Sequence, residues 1–293
     1  RSLEELRRRL TRQPHIVSVF LQLDDPYSYL LSYYLNSLKS NYDIKLRLYL
    51  SQACGDAFQP APDMLAEYAI VDCKRLAREL GIPFLDKGGY PPTEHRIGLS
   101  DAVAADGEEK EEQLLRALAI FWRGDSEAAA RMSTATSSGG KSNEVIDRSQ
   151  RLQQQLGHYN SAMLHYGSEW YWGVDRLHYL TGRLDQLGVA KSETPDPLLA
   201  SIRQAMQITL PVKPPAAAAE LPAIEFFHSL RSPYSYLLLQ RMYKIADAFG
   251  IELILRPVLP MVMRGRQIPR AKLLYIAADA AREAARLGIP FGK

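Results

Sequence analysis

Ser232-Pro233-Tyr234-Ser235-Tyr236 follows the apolar run Ile224-Glu225-Phe226-Phe227, and the reading of that junction decides the fold. A short aliphatic and aromatic run broken by a Ser-Pro step reads as a buried strand that stops abruptly. Proline fixes its own φ and has no N–H, so it suits the first turn of a helix, where that N–H would lack a partner anyway. Ser232 is then the N-cap, its hydroxyl facing the unbonded N–H groups of the first turn. The helix continues through Leu237, Leu238, Leu239, Met242, Tyr243 and Ile245. A strand feeding a helix N-terminus suits an anion or a thiolate, because the backbone dipole is positive there. On local pattern alone, an ordinary capping serine also accounts for Ser232.

The same stretch occurs earlier. Asp25-Pro26-Tyr27-Ser28-Tyr29-Leu30-Leu31 matches Ser232-Pro233-Tyr234-Ser235-Tyr236-Leu237-Leu238 at an offset of 207, and the offset holds without a gap to the end of the chain. Tyr68, Asp72, Arg75, Ala77 and Leu80-Gly81-Ile82-Pro83-Phe84 match Tyr275, Asp279, Arg282, Ala284 and Leu287-Gly288-Ile289-Pro290-Phe291. One register held this long points to a tandem duplication, with a period far too long for a solenoid repeat.

A chain of 293 residues accommodates two domains with their own cores. Its 46% hydrophobic and 24% charged residues are those of a soluble globular protein. The net charge of +3, with dispersed basic residues, gives no case for nucleic-acid binding. Arg7-Arg8-Arg9 reads as a solvated helix face. No apolar segment approaches a membrane span and no signal peptide is visible, so a cytoplasmic location is expected. Cys54 and Cys73 stand nineteen residues apart with no Cys-x-x-Cys, against a disulfide scaffold or a dithiol centre. His15, His95, His158, His165, His178 and His228 show no metal-ligand spacing, and no metal is expected.

In order, Ser2 to Arg12 reads as a short helix. A strand follows over Ile16 to Leu23, a helix over Ser28 to Lys39 and a second strand over Ile44 to Leu50, a βαβ unit with parallel strands. Gln59 to Asp63 is a loop, and a helix from about Met64 stops at Leu80 before Gly81 and Pro83. Gly88-Gly89-Tyr90-Pro91-Pro92 is a turn region. Helices are expected over Leu114 to Trp122 and from Glu144 to Leu156. Between them Ser133 to Ser142 ends in Gly140-Lys141-Ser142, but Ala135 stands where a phosphate loop needs its first glycine, so a flexible loop is the reading. Ala162-Met163-Leu164-His165-Tyr166 and Glu169-Trp170-Tyr171-Trp172 form a hairpin about Gly167-Ser168, followed by a helix from Val174 to Leu187.

The expected class is therefore α/β: two tandem thioredoxin-like domains with helical insertions. Residues 1–190 form the first, 191–222 a connector with the semi-rigid tether Pro211 to Ala219, and 223–293 the start of the second. The second copy's last residues match only as far as Asp86 of the first, so it is expected to be cut short at its C-terminus; a start at Arg1 rather than Met suggests a missing N-terminal segment.

Strand–Ser-Pro-Tyr-Ser-Tyr–helix, then Arg256-Pro257, then Pro269-Arg270-Ala271-Lys272 with Tyr275 opening a helix, resembles the DsbA-like branch that contains 2-hydroxychromene-2-carboxylate isomerases and kappa-class glutathione transferases. Trp172-Gly173-Val174-Asp175-Arg176-Leu177 is similar to the segment opening that family's last helix. The resemblance implies a thioredoxin fold with a helical insertion, a glutathione site, and a serine in place of a redox cysteine. It makes Ser232 the residue that stabilises the glutathione thiolate, and Lys272 a carboxylate ligand whose alternative is a solvated lysine. Tyr234 and Arg231 complete the expected binding set; a surface arginine explains Arg231 equally well. A thiol of pKa about 8.5 becomes a nucleophile when a donor and a helix N-terminus favour the anion.

The first copy departs from this pattern. Asp25, preceded by Asp24, stands where the second has Ser232, and carboxylates repel a thiolate. Leu65 replaces Lys272 and Tyr49 replaces Arg256. Ala162, in Asn160-Ser161-Ala162, falls where the family has a cis-proline. Asp24, Asp25 and Asp175 thus mark a degenerate counterpart site; an acid–base pair is the sharper reading of the first two, a capping aspartate with a solvated neighbour the plainer one. The functional expectation is a glutathione-dependent isomerase or transferase acting on a small aromatic or electrophilic substrate. The alternatives are a disulfide oxidoreductase, which lacks the thiols it needs, and a non-catalytic binding module. The domains are expected to pack as a pseudo-dimer, with a homodimer also compatible; no nucleic-acid or membrane partner is expected.

Overall fold

In the computed structural model the described residues are 8, 10, 13–85, 91–104, 110–134, 141–194, 196–207, 209–215 and 220–292, without the side chains of 110 and 141. Most of the expected N-terminal helix (all but residues 8 and 10), the Gly88-Gly89-Tyr90 turn, the centre of the Ser133 to Ser142 loop and the alanines of the tether lie outside them. The chain divides into two compact units, Arg1–Gln207 and Ile208–Lys293.

The first unit opens with β1 (Ile16–Gln22), α1 (Pro26–Asn41) and β2 (Lys45–Ser51). Helices α2 (Pro62–Leu80), α3 (Thr93–Ala104), α4 (Lys110–Arg123), α5 (Ser126–Thr134) and α6 (Lys141–Gln155) follow. Then come β3 (Met163–Tyr166), β4 (Glu169–Trp172), a 3-10 turn over Val174–Arg176, α7 (Leu177–Gln186) and α8 (Pro197–Ala205). The sheet order is β2-β1-β3-β4. β1 runs parallel to β2, with Val17 opposite Leu46, while β3 is antiparallel to both β1 and β4. This β-α-β, helical insertion, β-β-α arrangement is consistent with a thioredoxin-like fold.

Burial explains the local choices. β1 is internal to the sheet, so Val17, Val19, Phe20 and Leu21 are buried on both its faces. The long apolar face of α1, from Tyr29 and Leu30 to Leu38, packs into the same core. α2 ends at Gly81 with φ 65°, a left-handed position that costs glycine little, and the Ile82 N–H closes on the Ala77 carbonyl. Sequence reading named no helix over α3 or α5. α3 carries Gly98 in its interior, a poor helix former, yet a Cβ there would collide with the Ser133 side chain, so the glycine permits the close packing of α3 on α5. The expected connector also begins late: Asp196 caps α8, and Leu199 and Ile202 sit in the first unit's core. An amphipathic turn with two buried aliphatics is part of a domain rather than a tether.

The second unit contains β5 (Ile224–His228), α9 (Pro233–Phe249), β6 (Leu253–Pro257), a 3-10 turn over Met261–Arg264 and α10 (Arg270–Leu287). β5 and β6 are parallel, with Ile224 opposite Leu253, which is the β1–β2 register moved by 207. Tyr27 donates to Asp72 Oδ2 and Tyr234 to Asp279 Oδ2, each at 2.8 Å. The Tyr29 hydroxyl reaches the Pro83 carbonyl, and the Tyr236 hydroxyl reaches the Pro290 carbonyl. Among the described residues the second unit's core is small, centred on Leu237, Ala280 and Ala284. Phe227 is 63% exposed, whereas its counterpart Phe20 is buried against Tyr49 and Trp170.

Trp122 of α4 anchors the insertion to the sheet. It is fully buried, stacks on Phe84, and donates its indole N–H to the Leu23 carbonyl at 2.9 Å. Trp122→Phe keeps most of the packing but orphans that carbonyl, so denaturant unfolding should show a loss of about 1–3 kcal/mol. Trp122→Ala, which also opens a cavity, should cost about 3–5 kcal/mol.

Candidate functional site

In both units a strand delivers the chain to a proline-led helix, and the residue before the proline caps it. Asp25 has extended backbone (φ −98°, ψ 114°) and accepts the Tyr27 and Ser28 N–H groups at 3.1 and 3.2 Å. Its Oδ2 also accepts the Ser28 hydroxyl at 2.7 Å and the Ser161 hydroxyl at 2.8 Å. Ser28 Oγ in turn accepts the Gln22 N–H at 3.1 Å, so one serine joins the end of β1 to the carboxylate at the start of α1. Asp24 accepts from Gln22 Nε2 at 3.0 Å and pairs with Arg96 at 3.4 Å.

This helix start floors a cleft of about 590 Å³. Its walls carry Asp24, Asp25, Asp63, Asp72 and Asp175, with the exposed aromatics Tyr68 and Trp172; no lysine, arginine or histidine contributes to them among the described residues. The three expected counterpart residues, Asp24, Asp25 and Asp175, are therefore brought together.

Asp25 as a residue is half-buried, but its carboxylate is hemmed in by protein. Burial pushes its pKa above the ordinary 3.8, and the donors from Ser28, Ser161 and the backbone offset only part of that. The capping aspartate anticipated from sequence is what the geometry shows. Its carboxylate occupies the anion slot of the helix start, and each oxygen already accepts a bond. An ionised carboxyl has no proton to give a thiolate.

Ser161 was not singled out in the sequence. It becomes visible only through the strand entry: the next residue, Ala162, is fully buried at φ 54°, where an alanine costs about 1–2 kcal/mol. The Ala162 carbonyl is held by the Gly173 N–H at 2.8 Å. That left-handed residue, at the position expected for a cis-proline, leads from Ser161 into β3.

In the second unit Ser232 caps α9 with φ −91° and ψ 117°. Its Oγ accepts the Ser235 N–H at 3.3 Å, and Ser235 Oγ accepts the Ser229 N–H at 3.3 Å, the counterpart of the Ser28–Gln22 bond. Ser232 is half-buried and Arg231 exposed. The Tyr234 hydroxyl is committed to Asp279, which is almost fully buried and also pairs with Arg282 at 3.1 Å. Half-buried Lys272 lies in the first turn of α10, two turns before Asp279, or about 10 Å along the helix. Arg256 faces Glu225 on the neighbouring strand, at 2.5 Å.

Cys73 is buried, and desolvation raises its thiol pKa, the opposite of a reactive cysteine. Burial also keeps His158 and His165 neutral, pushed down to about 3 and about 4. Among the described residues no group of three or more His, Cys, Asp or Glu side chains is placed to hold a metal ion, and no helix is long and apolar enough to cross a membrane.

No protein-family model matches the chain, and no curated protein matches it. Among solved structures it is similar to a 2-hydroxychromene-2-carboxylate isomerase at 18% identity and a TM-score of 0.44, over 59% of this chain and 96% of that one. It is also similar to the cytosolic disulfide reductase DsbM from Pseudomonas aeruginosa at 15% identity and a TM-score of 0.39, over 65% of this chain and 98% of the reductase. A second DsbM structure, with GSH, matches at 16% identity and a TM-score of 0.36, over 66% of this chain and 100% of that one. Likenesses this shallow leave the chemistry to be read from the residues.

The raised Asp25 pKa fixes the sign of a pH effect. The folded state holds this proton more tightly than the unfolded state, so its contribution is full below the ordinary 3.8 and is lost as pH rises through the folded value. Asp25→Asn keeps a capping side chain and cannot ionise. The stability of the parent relative to this variant should therefore decrease from acid to neutral pH in urea titrations. An increase would mean that the hydrogen-bond donors outweigh burial.

Proposed function

We propose that the units are tandem copies of one thioredoxin-like domain and that the second carries a glutathione-dependent isomerase or transferase site. The observation that carries this reading is Ser232: its oxygen accepts the Ser235 N–H, which leaves the hydroxyl hydrogen available to donate to a thiolate at the positive end of α9. Ser232 stabilises the glutathione thiolate. Lys272, at the first turn of α10, binds a glutathione carboxylate, and Arg231 draws in anionic substrates. Tyr234, whose hydroxyl is held by Asp279, belongs to the same binding set. In the isomerase form the thiolate adds to a conjugated double bond of a small aromatic or electrophilic substrate. The resulting single bond rotates, and expulsion of the thiolate restores the double bond and free glutathione.

The first unit is better read as a non-catalytic partner. Its own carboxylate fills the place a thiolate would take, and the aspartates of its cleft oppose an anion. Disulfide exchange is disfavoured in both copies, because neither helix start has a thiol near its proline.

Calorimetric titration of reduced glutathione into the whole chain should show saturable binding. Ser232→Ala should weaken it by about tenfold, the equivalent of one charge-assisted hydrogen bond. Ser232→Thr, which keeps the hydroxyl and the cap, should largely restore it, and Asp25→Ser should leave it unchanged. No binding at millimolar glutathione, or equal binding by Ser232→Ala, contradicts the thiolate site.

A further inference from the structure

Helix α2 is apolar on two sides. Its inner face, with Ala69, Ile70, Cys73 and Ala77, is buried. Its outer face carries Met64, Tyr68 and Val71, which are 73%, 55% and 45% exposed. A helix lying on a core needs one apolar face, and its opposite face is ordinarily polar. The fold itself does not require the outer residues. At the aligned positions of α10 stand Ala271, Tyr275 and Ala278, and that tyrosine is buried.

The outer face has the spacing of a helix–helix seam. Met64, Tyr68, Val71, Arg75 and Arg78 recur at alternating steps of four and three residues, which keeps them on one narrow stripe. The apolar members fill the N-terminal half of the stripe and the cationic ones the C-terminal half. Glu67 and Lys74, seven residues apart, border it on the same side. Arg78 pairs with its neighbour Glu79 at 3.8 Å, whereas Glu67, Lys74 and Arg75 have no ion pair among the described residues.

This polarity selects the partner. A parallel copy of α2 would set Arg75 and Arg78 against their own like charges. An antiparallel copy, related by a two-fold axis through Val71, sets each half against the other. Glu67 lies four residues before that axis and Lys74 three after it, on the same flank, so they meet across the axis twice. Tyr68 and Arg75 meet in the same way, and the guanidinium of one copy covers the ring of the other. We propose that α2 pairs antiparallel with α2 of a second copy of this chain, making a two-fold dimer through the first unit. Leu65 and Tyr68 also line the cleft floored by Asp25, so the second copy stands at its rim. The interface uses no residue of the Ser232 site.

The test is sedimentation equilibrium of the whole chain from about 1 to 300 μM, because one helix pair belongs to the small, weakly associating end of interfaces. The parent should pass from monomer to dimer over this range, and added salt should weaken the dimer. Val71→Glu sets two carboxylates against each other on the axis and should weaken association by at least about a hundredfold. At dilution its circular dichroism and melting temperature should match the parent's, since Val71 lies on the surface. Glu67→Lys and Lys74→Glu should each weaken the dimer by about tenfold, because the two-fold axis repeats the pair. The double variant, which reverses both charges, should restore it. A chain that stays monomeric throughout overturns the proposal. So does a dimer that Val71→Glu leaves intact, or a double variant that associates no better than the single ones.

Discussion

The structure depends on one local constraint: a parallel strand must hand the chain to a helix within a few residues. In both units a serine makes that handover, accepting from within the first turn of α1 and α9 the N–H of Gln22, the last residue of β1, and of Ser229, the residue just after β5. The bond satisfies a part-buried backbone donor and ties the strand end to the first turn of the helix. The tyrosine before that serine then ties the helix start to the next helix, through Asp72 in one unit and Asp279 in the other. Once these bonds are set, the capping residue is the variable position. It stands at the positive end of the helix dipole with little freedom to move.

What occupies that position decides the chemistry available. Ser232 brings a hydroxyl that can accept from the backbone and still donate outward. Asp25 brings an anion of its own, and Ser28 and Ser161 turn their hydroxyls toward it. A helix start filled in this way is a stable cap and a poor thiolate site. The surrounding cleft follows the same sign, with aspartates on its walls. The two units thus present nearly the same backbone device with opposite electrostatic outcomes.

Much of this was legible in sequence because it is local. The proline step, the two strands, the hairpin about Gly167-Ser168 and the cap residues follow from short-range rules. The matching Tyr–Asp bonds were foreshadowed by paired identities at an offset of 207. Other parts were hidden because they depend on tertiary packing. α3 has a glycine where only the approach of Ser133 justifies one, and the α8 segment looked like a connector until Leu199 and Ile202 found a core. Ser161 carries no sequence signature; it matters because a left-handed alanine lies beside it.

The central claim is that the Ser232 helix start stabilises a thiolate. The most direct measurement is the pH titration of glutathione's thiolate absorbance with the whole chain in excess. The account predicts that the bound thiol ionises below its ordinary value of about 8.5, and that Ser232→Ala moves it back. An ionisation that stays at the free value, or one that is depressed equally in Ser232→Ala, would contradict it.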